Sequence, residues 1–467
     1  MTFSRRAFLS ASALLTLTPV FGARALAAVL PREVDVVVIG AGAAGIAAAR
    51  RIQSAGRKVI VLEASDRIGG RCATDSTTFD VPLDLGARWL HTPESNALVK
   101  LARATGVDVA PSAPSQKLRI GRRNARAAET EDLLATFVRA SRAIDDAARR
   151  GDIACAAALP KDLGDWAGTV DFALGAYATG KDLKDLSALD QSRAEDRAIS
   201  VATRQGLGTL MMNLGSDVPV VLSTPAMRVT WGGRDIGVET ASGRVAAGAV
   251  IVTVSSNVLN AGAIKFTPDL PKRQRDAAAQ LTLGSYDRIA LELKGNPLEL
   301  GRDELMIEQS SSTRTGALFA NIGGSSLCTV DVAGAFGRAL SAQGEAAMTA
   351  FAVEWLTTLF GGDVKNAVLR RKVTSWNTSP FILGAMSAAA PGGQFARRVL
   401  AEPLGNLFIA GEATHETLWG TVDGAWASGE RAADAALKKM GAPDAEPKPP
   451  PKQKRRARPR TSDALRQ

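Results

Sequence analysis

The sequence predicts an α/β fold built on a Rossmann-like domain, and three observations carry that expectation. A β-branched run, Val34-Asp35-Val36-Val37-Val38-Ile39, feeds the turn Gly40-Ala41-Gly42-Ala43-Ala44-Gly45 and then an Ala-rich stretch suited to a helix. A second strand, expected from Lys58 to Leu62, ends at the acid Glu63. Far along the chain a third short run, Asn406 to Ala410, again delivers a glycine and an acid, Gly411-Glu412, ahead of a helix expected to begin near Gly420.

Each element has a physical reason. The first run is continuously apolar apart from one acid, as suits a central parallel strand buried on both faces. Gly40 permits the tight turn, Gly42 lets backbone approach a pyrophosphate, and Gly45 lets the helix pack on the strand. Phosphates then sit at the helix N-terminus, over Ala43 and Ala44, where unpaired N–H groups and the helix dipole favour negative charge. Glu63, followed by Ala64, can accept from ribose hydroxyls. Arg71 follows Gly69-Gly70 and is shaped for bidentate phosphate contact. At the late helix, the backbone N–H groups of Thr421 and Val422 can face and stabilise a negative charge. Between these ends, residues 95–204 show helical periodicity, as in Glu131 to Ala148, while Tyr286 to Leu293 and Val368 to Ser375 read as strands of a second sheet.

Composition bounds the rest. The chain has 467 residues, 46% hydrophobic and 22% charged, which suits roughly two to three globular domains. Its net charge of +10 lies at the ends: residues 1–27 hold three arginines, and residues 448–467 hold eight basic residues against Asp463. Setting those aside leaves 46 basic and 46 acidic residues, so the body lacks the basic face that nucleic acid requires. Ser4-Arg5-Arg6-Ala7-Phe8-Leu9, the apolar stretch to Ala23 and Ala25-Leu26-Ala27 resemble a twin-arginine signal peptide, residues 1–27. The expectations that follow are a twin-arginine translocase as partner and a periplasmic or secreted mature protein. The Pro/Lys/Arg-rich tail, 442–467, is expected to be disordered. Cys72, Cys155 and Cys328 are too few and too scattered for a disulfide framework or a metal site, and allow one bridge at most.

Glu63-Ala64, Arg67 and Gly69-Gly70-Arg71 resemble the extension that follows the second strand in flavin-containing amine oxidases, a family that includes monoamine and polyamine oxidases, L-amino-acid oxidases, tryptophan 2-monooxygenases and histone lysine demethylases. Further marks are Asp84-Leu85-Gly86-Ala87-Arg88-Trp89-Leu90-His91, the Thr224-Pro225 strand, Ile251-Val252-Thr253-Val254, Trp376, and Phe408 to Thr414 with Gly420 to Ala425. The resemblance implies FAD in a glutathione-reductase-type Rossmann-like domain, residues 28–94, 205–284 and 376–441. A discontinuous α+β substrate domain, residues 95–204 and 285–375, completes it. It further implies that Gly86, Ala87, Arg88 and Trp89 line the cofactor, that Ala226 sets its backbone at the adenine, and that Glu412 serves the ribityl and phosphate region. Trp376 would pack along the flavin ring.

Three positions depart from the family pattern. Arg288 stands where a lysine usually holds water against flavin N5, and arginine cannot accept a proton at ordinary pH; it can orient water, or pair with Asp287 or Glu292. Met386 and Thr421 stand where two aromatic walls clamp the amine, leaving Trp419 and Phe381 as substitutes or core residues; Ala385 at the flavin-tethering cysteine position implies non-covalent FAD. Arg88 lies one position before the carboxylate-binding arginine of amino-acid oxidases, with Trp89 in that place. Catalytic roles therefore fall to Arg288, Trp376 and Trp419, and substrate contact to Arg88, Met386, Trp419 and Thr421. His91 and His415 read as structural, and no metal is expected. The implied activity is hydride transfer from an amine or L-amino acid to flavin, giving an imine, with O2 or a periplasmic carrier as electron acceptor. The alternatives are oxidative decarboxylation to an amide, as in tryptophan 2-monooxygenases, a C–C desaturase, and a flavin-binding envelope scaffold.

Overall fold

The computed structural model describes residues 30–112 and 116–441. The expected signal peptide and basic tail lie outside the described residues.

An eight-stranded sheet forms the first layer. At its centre Val220–Val221, Val59–Leu62, Glu33–Ile39, Gly243–Val252 and Leu407–Ile409 run parallel. Gly237–Thr240 and Arg228–Thr230 extend it antiparallel, with Lys265–Thr267 at the edge. Ile39 is in register with Leu62 and Val252, and Val252 with Ile409. Gly40, Glu63, Thr253 and Ala410-Gly411 therefore leave the sheet along one carboxyl edge, where parallel α/β sheets bind their ligands.

Two helices, Ala43–Ser54 and Val422–Lys439, pack together on this sheet. A Cβ on Gly45 would lie 1.8 Å from the Gly40 carbonyl oxygen, and one on Gly429 would lie 2.1 Å from that of Ala44. Only glycine permits those approaches. Ile46, Ile52, Ala433 and Leu437 fill the core beneath them, each large aliphatic contributing roughly 1.5–3 kcal/mol by burial.

A second, seven-stranded sheet runs in the order Val368–Val373, Tyr286–Leu293, Leu327–Ala333, Ala317–Ala320, Glu304–Glu308, Gln116–Ile120, Arg123–Asn124. The helix Glu345–Phe360 covers one face, where Met348, Leu356 and Leu359 meet Ile289, Leu291 and Val330. By the two-residue alternation of a strand, Tyr286 and Arg288 point the other way.

Several boundaries differ from expectation. The strand expected to Ser375 stops at Val373, because Thr374 turns its hydroxyl to Asp287 Oδ1 at 2.9 Å. Thr224-Pro225 is a loop rather than a strand: pairing ends at Val221, and Ser223 takes a φ of 51°. The late helix starts at Val422 instead of Gly420, with Thr421 Oγ1 accepting from Gly424 N at 2.9 Å as its cap. Residues 95–204 are not wholly helical. The helix Ala127–Ala148 lies there, but so do the strands Gln116–Ile120 and Ser200–Thr203. The three cysteines are buried, free thiols.

Candidate active site

One cavity of about 960 Å³ opens along the carboxyl edge of the first sheet and extends to the polar face of the second. Gly40, Gly42, Ala43, Ala44, Glu63, Ala64, Arg71 and Ala226 line its dinucleotide end. Gly45 does not line it; that glycine serves helix packing alone. Glu63 is tied into the turn, with Oε2 accepting from Ala41 N at 2.6 Å and Oε1 from Ser65 N at 2.8 Å. Gly42 caps the twelve-residue helix Ala43–Ser54, and a Cβ there would meet nothing within 4 Å. That open cradle at a helix N-terminus fits a pyrophosphate.

Arg71 lines the cavity beside Glu412. Its Nη1 donates to Ala385 O at 2.6 Å and to Glu412 Oε1 at 2.8 Å, while Nε and Nη2 make no hydrogen bond to the described residues. Glu412 also accepts from Ser387 N, Ser387 Oγ and Gly420 N, at 3.0, 2.6 and 2.7 Å. Burial pushes its carboxyl up, but Arg71, Ser387 and Arg397 outweigh burial and hold it below the usual carboxylate range. Glu412 thus fixes Arg71 and the Gly420 turn together.

Beyond this point lie Gly86, Ala87, Gly411, Thr421, Val422 and Trp376. Trp376 Nε1 donates to Leu85 O at 3.1 Å, and its ring lies so close to Gly86 that a Cβ there would fall 3.1 Å from Trp376 Cζ2. The indole is therefore set along the cavity wall with little freedom.

Arg288 pairs with neither Asp287 nor Glu292. Cross-strand register sets it opposite Asp331, whose Oδ1 and Oδ2 accept from Nε at 2.9 Å and Nη2 at 3.2 Å. Its Nη1 donates to the Asp84 and Gly86 carbonyls. Burial pulls its proton affinity down, yet Asp331 more than compensates and holds it above the ordinary range. Arg288 is thus a charged latch holding the Gly86 segment to the second sheet. Asp287 instead accepts from Trp376 N at 2.9 Å, and Glu292 pairs with Arg370.

Arg88 is 8% exposed, with its guanidinium 4.4 Å from the Phe319 ring centroid and Nη2 donating to Thr329 Oγ1 at 3.0 Å. Trp89 meets Phe319 edge-on. Met386 and Thr421 line the cavity. Trp419 touches the cavity, but its ring is fully buried between Arg197 and Arg397, 4.8 and 4.7 Å from its centroid. It is a core residue rather than an open aromatic wall. Phe381, 44% exposed, lies at the rim.

The chain's two tyrosines were not legible as site residues. Tyr177 and Tyr286 both line the cavity, their rings 5.9 Å apart, with Tyr286 Oη donating to Asp331 Oδ2 at 2.8 Å. The one available signal was their scarcity. Tyr177 ends a π-helical turn, Phe172–Tyr177, an irregularity frequent at functional sites.

The histidines are structural in their contacts. His91 Nδ1 bonds Ser200 Oγ at 2.8 Å, and burial together with Arg197 pushes its pKa down to about 4. His415 Nδ1 accepts from Leu418 N at 2.9 Å. Among the described residues no cluster of three or more His, Cys, Asp or Glu could hold a metal.

A sequence model of the flavin-containing amine oxidoreductases matches residues 43–437. A polyamine oxidase of Oryza sativa is 27% identical over 438 residues, covering 86% of this chain and 87% of that one. A human lysine-specific histone demethylase is 26% identical over 435 residues, covering 85% of this chain and 53% of the demethylase. In fold, the cyclohexylamine oxidase of Brevibacterium oxydans superposes with a TM-score of 0.75 at 19% identity, and putrescine oxidase bound to putrescine with 0.73 at 20%. Each covers 87% of this chain and 99% of its own.

Proposed function

This chain belongs to the flavin-containing amine oxidoreductases, and from that premise we propose that it binds FAD non-covalently and oxidises the C–N bond of an amine or L-amino acid. The observation that carries the reading is the continuity of the cavity. A pyrophosphate cradle, Gly40 to Ala44 with Arg71, opens without interruption into a chamber walled by Trp376, Tyr177, Tyr286 and Trp89.

FAD would supply the acceptance of a hydride from the substrate α carbon, leaving an imine that water hydrolyses to a carbonyl compound and ammonia or amine. The chain supplies orientation and electrostatics. Trp376, Met386 and Thr421 line the cavity, and Arg71 with the helix N-terminus at Val422 stabilises negative charge. Arg288 stays protonated, so it orients the Gly86 backbone and takes no proton from substrate. Ala385 offers no thiol, and its carbonyl is occupied by Arg71.

Product analysis of the holoprotein in air tests this. Carbonyl compound and hydrogen peroxide in equal amounts support it; amide and carbon dioxide would replace it with oxidative decarboxylation. For localisation we propose twin-arginine export, carried by Arg5-Arg6 ahead of Phe8-Leu9. Arg5→Lys with Arg6→Lys should leave the protein in the cytoplasm, and unchanged export would dismiss that route.

A further inference from the structure

The substrate-facing wall carries a guanidinium with no counter-charge. Arg197 lines the cavity, half-buried, its guanidinium 4.8 Å from the Trp419 ring centroid, and the only hydrogen bond of that guanidinium among the described residues runs from Nη2 to Trp419 O. Its Nε is buried without a partner, as is Oε1 of Gln191, which lines the same wall. No carboxylate among the described residues lies within ion-pair distance of Arg197. The acids nearest in effect are Glu412, Asp190 and Asp423, and the first two already pair with Arg71 and Arg397. Burial and repulsion from Arg397 accordingly lower its pKa to about 10. Arg67 and Arg88, the other cavity arginines without an ion pair, differ: Arg67 donates to the Ile68 and Gly70 carbonyls at the dinucleotide end, and Arg88 donates to Thr329 Oγ1 and feels the charge of Asp331.

Withdrawing a guanidinium from water without a partner is costly, and leaving its donors unbonded adds to that cost. Arg197 Nη1, which is neither enclosed like Nε nor bonded like Nη2, is the donor left for an anion in the cavity. The rim outside is acidic: Glu195 and Asp196 are exposed and line the entrance. Acids outside and a free guanidinium within suit a zwitterion better than a polyamine, whose several positive charges Arg197 would repel.

We propose that Arg197 binds the carboxylate of the substrate, so that the amine oxidised is an amino acid and not a simple amine or polyamine. This rests on the amine-oxidising reading above and specifies its substrate class.

The test uses purified holoprotein and matched pairs, an L-amino acid and the amine left by removing its carboxylate, such as L-phenylalanine with 2-phenylethylamine and L-leucine with 3-methylbutylamine. Anaerobic bleaching of the flavin band gives half-saturating concentrations. Benzoate, a carboxylate without an amine, is titrated separately by its perturbation of the flavin spectrum. The expected result is half-saturation by the amino acid at least roughly tenfold below its amine, a preference lost in Arg197→Gln and partly kept in Arg197→Lys, with benzoate weakened at least roughly tenfold by Arg197→Gln. An amine equal to or better than its amino acid overturns the proposal, as does a preference that survives in Arg197→Gln. If no compound bleaches while benzoate binding still depends on Arg197, the anion site stands and amine oxidation falls. If benzoate binding is also indifferent to Arg197, both fall.

Discussion

Asp331 accepts both Nε and Nη2 of Arg288, and the two side chains are only 3% and 5% exposed. A buried pair of this kind is expensive to break from one side, because the survivor is left charged and unpaired. Arg288→Met should lower unfolding free energy by about 3–5 kcal/mol in urea titrations of the holoprotein, and adding Asp331→Leu should restore most of it. If the double variant is as weak as the single, Arg288 acts chiefly through its Asp84 and Gly86 carbonyl contacts. At this scale the sequence was half legible. Gly40 and Glu63 could be set at the cavity from the strand-turn-helix spacing, and Arg71 and Glu412 through the family likeness; all four line it. Arg288's partner could not be placed, since Asp331 lies on a neighbouring strand whose register no local pattern encodes. Of the two readings open for Trp419, substitute wall or core residue, the sequence could not choose, because the guanidinium groups beside its ring, Arg197 and Arg397, come from distant stretches of chain.

Where the helices Ala43–Ser54 and Val422–Lys439 cross, the contact is between backbones. Gly429→Val would drive a side chain into the Ala44 carbonyl, 2.1 Å from the position of its Cβ. The helices must then separate, which shifts the N-terminus that cradles the cofactor. Overpacking of this sort costs about 1–3 kcal/mol; Gly429→Val should therefore melt lower and retain less flavin through gel filtration, whereas Gly429→Ala, with its smaller side chain, should retain more than the valine variant. Equal retention by wild type and Gly429→Val would mean that helix contact does not set the cradle. Strands with strong apolar runs were legible to within a residue or two, as at Glu33–Ile39 and Tyr286–Leu293. Short ones were not, because Ser200–Thr203 pairs only with strands about a hundred residues away, and Gln116–Ile120, beyond its small hairpin with Arg123–Asn124, takes its main partner from Glu304–Glu308.

For the whole molecule, acid stability has a signature in His91. Folded, it binds a proton only below about 4, against 6.5 ordinarily. Between those values the unfolded chain holds more protons, so stability falls as pH drops from 6.5 to 4, by at most about 3 kcal/mol. Asp84 and Asp423, raised to about 6 by burial, act oppositely between 3.8 and 6. Comparing His91→Gln with wild type isolates the histidine: the variant's melting temperature should fall less over that range, and parallel curves would contradict the assignment. Non-covalent binding predicts that acid precipitation leaves all the flavin in the supernatant; flavin in the pellet would show a tether. The meeting of two sheets at one cavity was legible only through family likeness, since composition and periodicity do not say which strands share a sheet.

The most direct test of amine oxidation is anaerobic mixing of the yellow protein with amines and L-amino acids while the oxidised flavin band is followed. Loss of the band with one compound class, reversed by air, is the predicted result. A band that persists with every compound, although dithionite removes it, would contradict the account.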